Sequence, residues 1–98
     1  MAIGSFAGKV VEDFFLSGRI PRRESWSSVA NIVKRKLDVL DYAVVLNDLS
    51  SPPGNRLEAL RGDLQGLHSI RVNDQWRIVF RWTSEGADEV DVRDYHGR

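Results

Sequence analysis

Apolar residues recur at spacings of three and four through residues 8–17, where Val10, Val11, Phe14 and Phe15 share one side and Lys9, Glu12 and Asp13 face away. That is the pattern of an amphipathic helix, and Ser17-Gly18 ends it. Pro21 cannot lie deep in a helix, so a second, longer helix is expected to begin at Glu24 or Ser25. Its stripe is Trp26, Val29, Ile32, Val33, Leu37 and Leu40, reaching toward Leu46. Past Leu49 the pattern changes, because Ser50-Ser51-Pro52-Pro53-Gly54-Asn55 is a dense turn signal. Short strands are predicted over residues 57–60, 67–72, 76–82 and 89–95, with turns at Asn73-Asp74 and around Glu85-Gly86. Residues 3–6 offer one more short strand. Alternation in 76–82 sets Trp76, Ile78, Phe80 and Trp82 on one face and Arg77, Val79 and Arg81 on the other. The sheet is therefore expected to bury its aromatics against the helices and leave an arginine face outside. The expected fold is α+β: two N-terminal helices packed on one face of a mainly antiparallel sheet of four to five strands.

Composition narrows the class. The chain has 98 residues, 42% hydrophobic and 29% charged, which predicts one domain over 1–98 with one core. No apolar run approaches the ~18 residues a membrane helix requires, and the N-terminal stretch soon meets Glu12 and Asp13, so the expected location is the cytoplasm, with no membrane partner. The absence of cysteine excludes disulfides, a thiol nucleophile and thiolate metal sites. With His68 and His96 the only histidines, neither a metal nor another cofactor is expected. The formal net charge is zero, from 14 basic and 14 acidic side chains, which argues against a broad, nonspecific nucleic-acid binder. Charge is local instead. Arg56, Arg61, Arg71, Arg77 and Arg81 face only Asp48, Glu58, Asp63 and Asp74 over residues 48–82, whereas the remaining tail is acid-rich. Either the active face is small, or another body presents the substrate.

That arginine-rich half suits gripping and cutting RNA, which requires a base for the 2′-hydroxyl, an acid for the leaving 5′-oxygen, and cations for the phosphate. His96 is the best proton-transfer candidate, with Asp94 and Tyr95 beside it. In a strand Asp94 and His96 share a face and Tyr95 points the other way, so a joint site requires the chain to bend. A histidine so near the C terminus is equally read as an ordinary surface residue. Arg77 and Arg61 are phosphate clamps or solubility residues, Arg56 and Arg71 add charge nearby, and Glu58 either accepts a proton or pairs with an arginine. Lys34, Arg35 and Lys36 form a basic cluster that is either a solvated helix face or a contact to RNA or protein. His68 and the three tryptophans read as structural.

Three motifs occur in order: PPGNRLEALRG from Pro52 to Gly62, SIRVNDQWRI from Ser69 to Ile78, and DYH at Asp94, Tyr95 and His96. Together they resemble the HigB toxins, a branch of the RelE/ParE toxin–antitoxin superfamily, over nearly the whole chain. The resemblance implies a RelE-like microbial ribonuclease fold and metal-independent cleavage of messenger RNA in the decoding site of a translating ribosome. It also implies a HigA-like antitoxin with a helix-turn-helix domain, through which the pair contacts operator DNA and represses its own operon. The implied catalytic set falls on Glu58, Arg61, Arg77, Asp94, Tyr95 and His96. Glu58 stands where the family's R-L-H-P-L-K-G stretch has histidine, and Arg61 where it has lysine. Arg61 keeps the charge but is permanently protonated, so it holds phosphate and does not readily donate a proton. Glu58 reverses the character of its site, as a general base for the 2′-hydroxyl or as an ion-pair partner of Arg61 or Arg77. A ParE-like gyrase inhibitor and a degenerate, antitoxin-binding toxin share the fold; the DYH ending argues against the first, and Glu58 favours the second.

Overall fold

In the computed structural model, which describes residues 3–94, the first amphipathic segment forms helix α1, Lys9–Ser17. It buries Val11 and Phe14, and Gly18 closes it in the left-handed region (φ 78°) by donating its N–H to Phe14 O at 2.8 Å, a conformation glycine adopts without a Cβ clash. The Phe14 ring meets Trp26 edge-on, 5.4 Å between centroids, which ties α1 to the next segment.

The second apolar stripe is not one helix. Ser25–Val29 winds as a 3₁₀ helix, Val29 breaks away at φ −118° and ψ 24°, and α2 runs Ala30–Tyr42. The break falls at Ser27-Ser28-Val29, residue types with lower helix propensity than the Ala, Leu and Lys positions that follow. The stripe nevertheless stays inside: Trp26, Val33, Leu37 and Leu40 are buried. The expected run toward Leu46 also fails. Ala43 is extended, and Asp48 turns back to accept the N–H groups of Val44 and Val45 at 2.9 and 3.1 Å. A separate 3₁₀ turn, Leu46–Ser50, then buries Leu49.

Those two bonds hold the Asp48 carboxyl below its ordinary value of 3.8, the Val44 N–H contributing most and Val45 next. A depressed folded-state pKa stabilises the fold above the unfolded value, and the contribution is lost as pH falls through the lower folded value. Asp48→Asn should therefore flatten the acid limb of a plot of Tm against pH below about pH 4. Wild type and variant losing stability in parallel there would contradict this.

After the turn come four strands in the order β1-β2-β3-β4, each pair antiparallel: β1 Glu58–Ala59, β2 His68–Arg71, β3 Trp76–Thr83 and β4 Gly86–Asp94. β1 keeps only two of the four residues expected for it. β4 starts earlier than expected, because Ser84-Glu85 alone makes the turn and Gly86 (φ 120°) already pairs with Thr83. The register slips between Val79 and Arg81, where Glu89 and Val90 oppose the single residue Phe80 and Glu89 takes a left-handed φ of 55°. This is a bulge, and it bends β4. The strand expected at residues 3–6 is reduced to two parallel bridges, Ile3 to Ala87 and Phe6 to Val90, which cover the β4 edge.

One face of the sheet packs Ile70, Ile78, Phe80, Val90 and Val92 into the core with Val33, Leu37 and Leu40. Trp26 is fully inside, while Trp76 and Trp82 are partly buried against the cluster. The other face departs from expectation. Arg81 is exposed, but Val79 and Arg77 are each only 4% exposed, so the strand does not present an open arginine face. Alternation assigned Arg77 to the correct side of the sheet, but the expectation that this side is open to solvent fails there, because the Arg56 carbonyl and Glu58 lie against the guanidinium.

Candidate active site

The turn before β1 builds the site. Asn55 closes the 3₁₀ turn Pro53–Asn55 and is fully buried. Its Nδ2 donates to Leu49 O at 3.1 Å and to Ser51 O at 3.2 Å, and its Oδ1 accepts from Lys36 Nζ. One side chain thus fastens the loop to itself and to α2. Lys36 is held below the ordinary lysine value first by burial, then by the charges of Arg35 and Arg71. Arg56 follows in the left-handed region (φ 46°, ψ 55°), and its carbonyl accepts from Arg77 Nη2 at 2.6 Å. Arg77 Nη1 lies 3.5 Å from Glu58 Oε1, with side-chain exposures of 5% for the arginine and 47% for the carboxylate. A buried cation must be paired or hydrogen-bonded to be tolerated. Here the Arg56 carbonyl and the Glu58 carboxylate supply that, and Glu58 stands at the solvent edge.

Arg77 has arginines on both sides. Register places Arg71 opposite it on β2 and Arg93 opposite it on β4, so the three side chains leave the same face of three adjacent strands. Arg71 pairs with Asp74 of the following turn, and Arg93 Nε lies 3.5 Å from Asp91 Oδ2. Arg71 and Arg77 stand out in the sequence, and Arg93 does not. The signal was present, since Val90 and Val92 alternate with Asp91 and Arg93, but its meaning depends on a strand register that the bulge at Glu89 offsets.

The other expected residues are distributed differently. Arg61 is exposed and, with Ala59, Leu60, Gln65, Gly66, Leu67 and His68, lines a cleft of about 550 Å³. Neither Glu58 nor Arg77 lines this cleft. His68 stacks on Phe80 with centroids 6.2 Å apart, in keeping with a structural role. Asp94 registers with Trp76, on the face opposite Arg77, and its carboxylate accepts from Gln75 Nε2 at 3.1 Å. Tyr95 and His96 lie outside the described residues. Lys34 pairs with Asp38 at 2.8 Å and lies 5.4 Å from the Phe15 ring centroid, Arg35 is exposed, and Lys36 alone of the three reaches the loop that carries the site. Among the described residues no helix is long and apolar enough to cross a membrane, and no group of three or more His, Asp or Glu is arranged to hold a metal ion.

A guanidinium fork held between a carbonyl and a solvent-edge carboxylate is suited to an anionic group that exchanges a proton while its charge grows. The family model of the HigB-like toxin, described as the RelE-like toxin of type II toxin-antitoxin system HigB, matches residues 4–96. Toxin HigB-1 of Vibrio cholerae is 46% identical over 77 residues, 79% of this chain and 80% of its own length. Endoribonuclease HigB of Proteus vulgaris is 31% identical over 64 residues, 65% of this chain and 68% of its own. In fold, the chain is similar to YafQ from E. coli, with a TM-score of 0.60 at 16% identity over 95% of this chain and 91% of that one. It is also similar to a chain of the YoeB-YefM complex from Staphylococcus aureus, with a TM-score of 0.59 at 19% identity over 96% and 94% of the two chains. Over almost its whole length, then, this chain belongs to the HigB-like family of RelE-like toxins of type II toxin–antitoxin systems.

Proposed function

We propose that the protein is a metal-independent endoribonuclease that cleaves messenger RNA on the ribosome, and that a HigA-like helix-turn-helix antitoxin neutralises it and represses the shared operon with it. The carrying observation is the Glu58–Arg77 pair, a carboxylate at the solvent edge 3.5 Å from a buried guanidinium, in a chain similar to an endoribonuclease HigB. In the proposed reaction the 2′-hydroxyl loses its proton, its oxygen bonds to the adjacent phosphorus, and the bond to the 5′-oxygen breaks. A 2′,3′-cyclic phosphate and a 5′-hydroxyl result. Arg77 holds the phosphate as its charge grows, Glu58 takes the 2′-hydroxyl proton and His96 protonates the leaving oxygen. Tyr95 positions a base.

The neutral overall charge supports delivery of the substrate by the ribosome, because tight binding of free RNA rests on a broad excess of positive charge. Incubating purified protein with a defined messenger, with and without programmed ribosomes, and mapping the new ends tests the proposal. Cuts are expected only with ribosomes; folded protein that leaves the messenger whole under both conditions overturns it.

A further inference from the structure

The arginine row across the sheet is longer than one phosphate needs. Adjacent strands lie about 4.8 Å apart, so the backbones of Arg71 and Arg93 stand roughly 10 Å from one another with Arg77 between them. Like charges directly opposite on neighbouring strands destabilise a sheet, and the acids at hand offset this unevenly. Glu58 serves Arg77, while Asp74, the partner of Arg71, is itself 96% exposed at its side chain. Arg93 is the least satisfied of the three. Asp91 spends Oδ1 on the N–H of Val92 at 2.9 Å, and its Oδ2 lies 3.5 Å from Arg93 Nε, beyond the usual N–H···O range. Among the described residues this is the one ion pair Arg93 makes, and its side chain is 42% exposed. Its two terminal nitrogens thus remain available to a ligand beside Arg77. A line of cations, one buried at the centre and two partly exposed at the flanks, matches a polyanion with regularly spaced charges, not a single anion.

We propose that Arg93 is a substrate-binding residue that takes the phosphate next to the scissile one, with Arg71 taking its counterpart on the other side. The assignment rests on the nuclease reading for the term scissile, but its test does not require cleavage. A fluorescent single-stranded RNA oligomer carrying 2′-O-methyl groups has no nucleophile, and its anisotropy gives Kd across a series of KCl concentrations. Each phosphate contact on a single strand contributes about 0.7 to the slope of log Kd against log salt. Arg93→Gln is expected to make the slope shallower by about 0.7, and Arg93→Lys to retain it. Arg81→Gln, the same charge change at an exposed arginine paired with Glu89, should leave the slope as in wild type. An unchanged slope in Arg93→Gln, an equal change in Arg81→Gln, or no RNA binding by the folded wild type overturns the row. Ribosome assays on the same proteins separate the two ideas. If Arg93→Gln changes the slope but wild type cuts nothing, the nuclease reading fails and the row stands; cleavage with an unchanged slope means the reverse.

Discussion

Arg77→Lys should lower messenger cleavage on programmed ribosomes by about 10²–10³-fold, the usual cost of removing one positioned donor that stabilises developing charge. Charge alone does not explain this, because lysine keeps it. The guanidinium serves two partners from two nitrogens, Nη2 to Arg56 O at 2.6 Å and Nη1 toward Glu58 Oε1 at 3.5 Å, and a rigid planar fork does this with its plane fixed. An ammonium on a flexible stem is a point charge. Sitting against Glu58, it gives up the Arg56 carbonyl; moved toward that carbonyl, it leaves the carboxylate without its cation. Either way the group meeting the phosphate is no longer pre-aimed. The loss should fall on kcat more than KM, since phosphate charge is greatest in the transition state and the flanking arginines still hold the RNA. A thermal melt close to wild type would exclude unfolding as the cause. Should Arg77→Lys cut at nearly the wild-type rate, Arg77 would be a structural arginine that only fastens Arg56.

The same residue shows where sequence reading reaches its limit. Period-two alternation placed Arg77 opposite Ile78 and Phe80, and the structure keeps that division. Alternation is silent on what covers a face, so the burial of Arg77 under Glu58 and the Arg56 carbonyl was not legible; it depends on a left-handed Arg56, which non-glycine residues seldom adopt. Arg93 was hidden for a related reason. Its neighbours follow from pairing, and the bulge at Glu89 shifts pairing by one residue in a way that local propensity does not encode. The α+β class, the two apolar stripes and the order of the strands were legible because burial dictates periodicity directly. The break at Val29 was less so, since the stripe continues across it with the same residues inside and only the hydrogen-bond pattern changes. The three-motif resemblance identified the family, whereas the site it implied is only partly assembled among the described residues. Glu58 and Arg77 meet, Arg61 lines another cleft, and Asp94 leaves the opposite face.

Asn55 was read only as part of a turn, yet Asn55→Ala should be among the most destabilising single changes to this chain, by about 2–4 kcal/mol. The side chain is fully buried and satisfies three groups: the Leu49 and Ser51 carbonyls and the Lys36 ammonium. Alanine removes the partner of all three and leaves a polar void that water enters poorly. Lys36, already held below its ordinary value by burial and by Arg35 and Arg71, then loses the Asn55 acceptor. Urea denaturation at equilibrium reads the effect, with the midpoint falling and the m-value unchanged if the same surface is exposed on unfolding. Asn55→Asp separates the two contributions. It keeps an acceptor for Lys36 and strengthens that pair, but at neutral pH it turns a carboxylate oxygen toward two carbonyl oxygens that need a donor. If the carbonyls dominate, Asp is as damaging as Ala; if Lys36 dominates, Asp recovers most of the loss. Two carbonyls and a repulsive contact outweigh one improved pair, so little recovery is expected. Lys36→Met combined with Asn55→Ala should cost less than the sum of the single changes, because Lys36→Met removes the charge that Asn55→Ala leaves without its acceptor. Additivity within error would mean that the Lys36–Asn55 contact does not help to hold the loop before β1.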